Sequence, residues 1–331
     1  MWDFSIGQSL GLLRRTAPFV LFRAVVYFGI ALALILATGT GAGVGYGVGG
    51  FGDADFQAQS TAWGAIGGFG LTAGIVFFFR DWLLYIVKAG HIAVMVELMQ
   101  GRDIPAGRAQ IAHARQVVAA RFGTANALFG LDRLVHGVVL AVTGLMQGLL
   151  SILPVPGLDR LMALVRAYLR LAVGLVDEVI LAHLIARKVQ NPWQGAQQAL
   201  VLYGQNARPM LVNAAWLTAI VWGLSLAVFL VMLAPAAALA WAMPGQMSAG
   251  GVVFAIVLAW AIKAAVIEPF AVACMMQVFF KLTQGQVPNP AWEEKLSRAS
   301  GKFQELGKRA MTWASGPAKS GPARTDQILG A

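Results

Sequence analysis

The sequence predicts an all-α polytopic membrane protein with six transmembrane helices in three hairpins, each hairpin followed by a cytoplasmic amphipathic helix. Hydrophobic residues make up 58% of the 331 residues and charged residues only 12%, whereas soluble domains contain about 25% charged residues. Six apolar stretches approach or exceed the ~20 residues that a helix needs to cross a bilayer. Most Lys and Arg residues fall between alternate stretches. These observations predict a multi-pass protein of the bacterial inner membrane.

The N-terminal residues 1–16 predict a short amphipathic helix at the membrane surface, with Trp2, Ile6 and Leu10 followed by Arg14. Three units of two spans follow. The predicted spans are 18–38 and 63–79 in unit 17–125, 134–153 and 158–188 in unit 126–208, and 209–233 and 251–280 in unit 209–290. Amphipathic helices are predicted at 104–122, at 193–206 and at the start of the tail 291–331. The end of this tail is rich in Gly, Pro and Ser, which predicts disorder.

The distribution of basic residues predicts the orientation of the chain. Two Lys or Arg residues precede span 1, seven lie in 80–133, three in 187–208 and eight from 281 onward. These 20 of the 25 basic residues lie on one side of a six-span protein. By the positive-inside rule both termini are predicted to be cytoplasmic.

Three cytoplasmic segments resemble one another. In each, a proline (Pro105, Pro192 or Pro290) opens an amphipathic helix after a membrane span, as proline does in a first helical turn. One interpretation is an internal repeat of two spans and a surface helix. The other is that any hairpin returning to the cytoplasm produces this pattern.

Charged residues inside the apolar stretches are the candidate site. The fourth span contains two cations and two carboxylates, and the sixth adds one of each sign. Central charges in a lipid-facing helix would cost about 2.5–3.5 kcal/mol each, so they should face protein or water. The candidate polar path or ion-pair network consists of Arg166, Arg170, Asp177, Glu178, His183, Lys263 and Glu268.

The signs of these charges balance, which favours ion pairing between spans 4 and 6. A proton relay through Glu268 and His183 is the alternative. Pro269 should loosen the helix beside Glu268 and free backbone carbonyls. The set is therefore predicted to be either a structural network or part of a transport path.

A glycine-rich segment follows the first span. Its glycines alternate with other residues, and one helical face would carry Gly39, Gly43 and Gly47, which permits close helix packing or oligomerisation. An extended chain would instead place all six on one face. The predicted packing glycines are Gly39, Gly41, Gly43, Gly45, Gly47 and Gly49.

No enzymatic motif is found in the sequence, and a GxGxxG match at 45–50 lacks the preceding strand and following helix of a nucleotide-binding site. The patterns GxSxG, HExxH and GxxxxGK[ST] are absent, and we expect neither a catalytic activity nor a cofactor. The single cysteine, Cys274, and four scattered histidines have no metal-site spacing. The basic residues that give the net charge of +10 lie mostly on the predicted cytoplasmic side of the membrane, so no nucleic-acid partner is predicted.

The second half of the chain is loosely similar to the C-terminal part of choline transporter-like proteins. The similarity covers about 90 residues, at a polar helix with Ala199, Leu200, Leu202 and Asn206 and at Cys274 in the last span. The large extracellular loop of that family is absent, and Lys281 and Gln284 stand where an acidic pair is expected. The hairpin and surface-helix pattern also resembles uncharacterised bacterial six-span domains, such as the membrane domain attached to certain glycerophosphodiesterases. Both resemblances imply a membrane architecture.

Two functions are consistent with these observations. The first is a transport or channel-like protein with a polar path near spans 4 and 6. The second is a non-transporting scaffold or assembly subunit, whose amphipathic helices bind anionic lipid on the cytoplasmic face or partner proteins. In either case we expect a homo-oligomer or a subunit of a membrane complex.

Overall fold

The computed structural model describes residues 2–107, 109–122, 130–141, 174–241 and 248–315. These residues are 88% helical and contain no β-strand, which confirms the predicted all-α class. The helices are α1 (Ile6–Arg15), α2 (Ala17–Gly49), α3 (Ala54–Met99), α4 (Ala109–Phe122), α5 (130–141), α6 (174–187), α7 (Pro192–Gln205), α8 (Ala207–Trp241), α9 (Ser248–Ile262), a π-helical turn (Lys263–Ile267), α10 (Glu268–Thr283), α11 (Pro290–Ala299) and α12 (Gly301–Ser315).

Four described segments are long and apolar enough to cross a membrane: Ala17–Gly49, Ala54–Phe77, Ala207–Trp241 and Gly251–Thr283. They coincide with predicted spans 1, 2, 5 and 6, are compatible with an integral membrane protein and suggest membrane embedding. Predicted spans 3 and 4 fall largely at 142–173, outside the described residues. Six spans in three hairpins are therefore not confirmed. The tail after 315, predicted to be disordered, also lies outside the described residues.

The first two candidate spans form a tight helical hairpin. The glycine-rich segment is helical and continues α2 to Gly49. A β-carbon at Gly41 would overlap the carbonyl oxygen of Gly64, and one at Gly45 would overlap that of Ser60. Glycine therefore permits the backbones of α2 and α3 to approach closely, as in other small-residue helix pairs.

A second group of helices packs against α2. Tyr27, Ala31 and Ile35 of α2 form a buried cluster with Phe254 and Leu258 of α9. Large apolar side chains point outward around this cluster, including those of Leu21, Leu36, Leu71, Leu226 and Val231. This distribution suits helices that are surrounded by lipid on their outer faces.

The opposite end of the molecule has a denser core. The last part of α3 packs there with α5, α6, α7, α10 and α12, and residues such as Met95, Ile180, Met275, Phe279 and Phe303 are almost fully buried. The amphipathic helix α7 was predicted at 193–206 and begins one residue earlier, at Pro192. Asn191 caps its N-terminus, because its side chain accepts from the backbone N–H groups of Trp193 and Gln194.

Three helices end in this dense region with similar backbone geometry. Gly101 and Gly285, which follow α3 and α10, both have φ of 72°, and Lys188, after α6, has φ of 54°. Left-handed residues commonly terminate helices in this way. Pro290, like Pro192, opens a helix behind an asparagine cap. Pro105 does not, because α4 begins only at Ala109.

Candidate functional site

The structure places five of the seven charged or polar candidates on two helices and the turn between α9 and α10. Asp177, Glu178 and His183 lie on α6, Lys263 begins the π-helical turn, and Glu268 begins α10. Arg166 and Arg170 lie outside the described residues. The five described candidates do not form one group: Glu178, Lys263 and Glu268 share a network, Asp177 has another partner, and His183 lies near the helix ends.

Glu268 is the centre of the network. Its Oε2 lies 3.4 Å from Arg23 Nη2 of α2 and 3.9 Å from Lys88 Nζ of α3. Its Oε1 lies 3.7 Å from Lys263 Nζ. One carboxylate therefore faces three cations from three segments of the chain.

Lys88 links this group to α6. Its Nζ lies 3.3 Å from Glu178 Oε1 as well as near Glu268. Burial would lower the pKa of Lys88, but the charges of Glu178 and Glu268 offset it and raise the pKa above its ordinary value. Lys88 therefore joins α3, α6 and α10 through its two carboxylate contacts.

Arg23 donates hydrogen bonds to a backbone carbonyl that has no N–H donor within its own helix. In the π-helical turn the N–H of Glu268 bonds the carbonyl of Lys263. The next residue, Pro269, has no N–H to donate. The carbonyl of Ala264 instead accepts from Arg23 Nε at 3.2 Å and Nη2 at 2.5 Å. The carbonyl predicted to be freed by Pro269 thus anchors a side chain of α2.

Asp177 pairs with a histidine of α5. Its Oδ2 lies 2.7 Å from His136 Nδ1. Its other oxygen, Oδ1, is buried without a hydrogen-bond partner, as is Oε2 of the adjacent Glu178. Each of these buried carboxyl groups is therefore satisfied on one side only, an arrangement that is costly in a protein interior.

His183 has a different environment. Its ring is buried and meets the ring of Phe279 edge to face, with 5.7 Å between centroids. It lines a cavity of about 420 Å³ between the C-terminal ends of α3, α6 and α10. The polar groups of the lining are those of Gln100, His183, Arg187, Thr283 and Gln284.

The six glycines are divided between two faces of α2. Gly41, Gly45 and Gly49 face α3, where Gly64, Ser60 and Gln57 approach them. Gly43 and Gly47 have open space beside them, and Gly39 lies on their side of the helix by its spacing. The close packing of the hairpin thus uses Gly41, Gly45 and Gly49, three of the six predicted glycines.

Three residues of these networks were not among the sequence candidates: Arg23, Lys88 and His136. Arg23 carries a weak signal, because it is the one cation inside the first predicted span. Lys88 lies on the helical extension of α3 beyond the apolar window. Its pairing with residues 90 and 180 positions away leaves no local pattern in the sequence.

Among the described residues, no group of three or more His, Cys, Asp or Glu side chains is arranged to hold a metal ion. Cys274 is buried, with Sγ 3.1 Å from Ser9 Oγ. The chain matches no protein-family model, no curated protein and no solved structure. Its function must therefore be inferred from the geometry.

Proposed function

We propose that the chain is an integral membrane transport or channel-like protein with a polar path along α3, α6 and α10. The supporting observation is that these three helices both enclose the 420 Å³ cavity and carry the charges Lys88, Glu178 and Glu268. Intramembrane charges that face a bundle interior commonly mark a substrate or ion path. The proposal assigns the chain no catalytic step.

A packed apolar layer separates the cavity from the charges. Glu178 lies five residues before His183, about 7.5 Å along α6. Between the two levels the side chains of Met95, Val179, Met275 and Val278 are almost fully buried. Methionine side chains are flexible and repack easily. In this proposal the cavity is the cytoplasmic entrance, and the layer is closed in the state described.

Single cysteines provide a test of water access along this path. In a Cys274→Ala background, we expect His183→Cys to react rapidly with a membrane-impermeant thiol reagent applied from the cytoplasmic side. Glu178→Cys should react more slowly, yet at least about tenfold faster than a fully enclosed position, because opening of the layer exposes it. The measurement is the labelling rate of the chain in oriented membrane vesicles.

Leu217→Cys is the control, since its side chain is fully buried on α8, outside the layer. Equal, very slow labelling of positions 178 and 217 from both sides would contradict a water-accessible path. Lys88→Cys probes the same level from α3. Slow labelling of both Lys88→Cys and Glu178→Cys would show that water does not reach this level. Slow labelling of Glu178→Cys only would indicate a local effect on α6.

Oligomerisation is a further part of the proposal. Gly43 and Gly47 leave an open strip on α2 that a second copy of the chain would fill closely. This strip lies on the side of α2 away from Gly64 of the hairpin. In this proposal Gly41 and Gly45 make the contact within the chain, and Gly43 and Gly47 make the contact between chains.

The alternative function, a scaffold that binds lipid, is favoured by α1. Ile6 and Leu10 are exposed on one face of this helix, and Arg14 follows at the same spacing of four residues. Trp2, which precedes the helix, is also exposed. The Trp2 ring meets that of Trp216 on α8 edge to face at 5.7 Å. The apolar face of α1 therefore continues the outer surface of a candidate span, as an interfacial helix would.

The opposite side of α1 is fastened to α8 and α10. Asn213 Nδ2 donates to Asp3 Oδ2 at 2.9 Å, and Lys281 Nζ lies 3.2 Å from Asp3 Oδ1. Gln277 Nε2 donates to Ser9 Oγ at 2.7 Å. These contacts hold the helix across the ends of two candidate spans, where a membrane surface is expected.

We expect a spin label at Leu10→Cys, in the Cys274→Ala background, to lie within the lipid leaflet. Its relaxation should respond more to oxygen than to a water-soluble nickel chelate, because oxygen concentrates in the bilayer. Gln8→Cys, exposed on another face of α1, is the control and should show the reverse preference. Equal access of the chelate to both positions would remove the support for an interfacial α1.

A further inference from the structure

A second group of ionisable side chains lies where α5 meets α6. Asp132 and His136 are one helical turn apart on α5, and His136 Nδ1 lies 2.7 Å from Asp177 Oδ2. Asp132 and Asp177 line a small cavity of about 10 Å³ with Leu131, Val135 and Ile180. A cavity of roughly this size holds one water molecule.

We propose that Asp132, His136 and Asp177 form a proton-binding site that exchanges its proton with the polar path. This inference rests on the proposed transport function and identifies the proton as a transported or coupled ion. The site has both an outer and an inner side. The His136 side chain is 44% exposed, whereas that of Asp177 is 14% exposed.

The inner side continues into the charge network. Asp177 and Glu178 are adjacent on α6, and Glu178 contacts Lys88, which in turn contacts Glu268. The unpartnered Oδ1 of Asp177 and Oε2 of Glu178 are the acceptors that such a site needs. A proton or a water molecule bound to either oxygen would provide a hydrogen-bond partner for a buried polar atom that otherwise lacks one.

The electrostatic surroundings of Asp132 support a proton that is exchanged near neutral pH. Burial and, after it, the charges of Asp177 and Glu178 raise the pKa of Asp132, the charges of His136 and Lys88 lower it, and the net result is a pKa of about 7. Arg133 is the remaining charged group on this stretch of α5. At pH 7, then, the carboxyl group of Asp132 is divided between its two protonation states.

The proposed exchange moves one proton and changes no oxidation state. A protonated His136 gives its Nδ1 proton to Oδ2 of Asp177, and Asp177 passes a proton through a water molecule bound in the small cavity to the Asp132 carboxylate. This leaves a neutral imidazole and a neutral carboxylic acid. His136 then takes a new proton from solvent at its exposed edge, and Asp132 releases its own to the next acceptor along the path. Histidine is suited to this step because its ordinary pKa lies near 6.5.

Infrared spectroscopy of the full chain in lipid nanodiscs tests this site. We expect the carbonyl stretching band of a protonated carboxylic acid to disappear as the pH rises through about 7. Asp132→Asn should abolish this titrating band. His136→Gln should retain the band and shift its midpoint to higher pH, because the neutral amide no longer favours the Asp132 carboxylate. Asp103→Asn, at an exposed position, should leave band and midpoint unchanged.

The proposal is overturned if the wild-type chain shows no such band near neutral pH, or if the band persists in Asp132→Asn. An unchanged midpoint in His136→Gln would likewise remove His136 from the site. The thiol-labelling test does not involve Asp132, so slow labelling combined with a titrating band would reject the path and leave the protonation site intact.

Discussion

Replacing Gly45 with valine is expected to destabilise the chain by about 3 kcal/mol or more, because overpacking a tight contact forces the backbone to move. The new side chain would overlap the carbonyl oxygen of Ser60 and the backbone of Thr61. Backbone atoms cannot rotate away as a flexible side chain would. We expect α2 and α3 to separate and the midpoint of thermal unfolding in detergent to fall sharply. Gly41→Val, against Gly64, should behave in the same way.

The control lies on the other face of the same helix. Gly43→Ala meets no atom within 4 Å in the chain and removes a glycine from a helix interior, which is worth about 1 kcal/mol in helix propensity. In a detergent that disperses the chain into monomers, we expect its unfolding midpoint to be equal to or above that of the wild type. A loss as large as that of Gly45→Val in a detergent that keeps oligomers intact would show that the open strip is also a close contact. Its most direct explanation would then be a second copy of the chain.

These glycines show which part of the contact between α2 and α3 can be predicted from the sequence. Alternating glycines in a helix produce two interleaved sets at a spacing of four residues, and each set is suited to close packing. The sequence identifies the segment but not the set that faces the hairpin. That choice depends on Ser60, Gly64 and Gly68 of α3, which approach Gly45 and Gly41 only after the chain has turned at residues 50–53.

The charge network was partly predictable for a similar reason. Lys263, Glu268 and Glu178 are evident because each interrupts an apolar stretch, and the proline beside Glu268 correctly indicated an open carbonyl. Arg23, which donates hydrogen bonds to that carbonyl of Ala264, is 241 residues away in the sequence. Pairing between Glu268 and the distant Arg23 and Lys88 is decided by the packing of α2, α3 and α10, and no periodicity encodes it. The sequence therefore located the carboxylates better than their partners.

Glu268→Gln is the substitution in this network with the largest expected effect. Its carboxylate faces Arg23, Lys88 and Lys263, and the Arg23 side chain is only 4% exposed. Removing the negative charge leaves three neighbouring cations that repel one another at a site partly shielded from water. Removing one partner of a buried ion pair commonly destabilises a protein by about 3–5 kcal/mol. Because Glu268 is partly exposed, we expect a loss of about 3 kcal/mol in the free energy of unfolding. The measurement is the unfolding midpoint in detergent.

Glu178→Gln is the matched comparison, because it makes the same chemical change on a carboxylate whose one ion pair among the described residues is with Lys88. Oε2 of Glu178 is buried without a partner, so loss of its charge also relieves a desolvation cost, and we expect a change within about 1 kcal/mol. Lys263→Met should likewise have a small effect, since its side chain is 33% exposed. If Glu178→Gln proved as damaging as Glu268→Gln, the stability of the network would depend on Lys88 as its centre. The ordering of these variants therefore decides which residue organises the contact between α2, α3, α6 and α10.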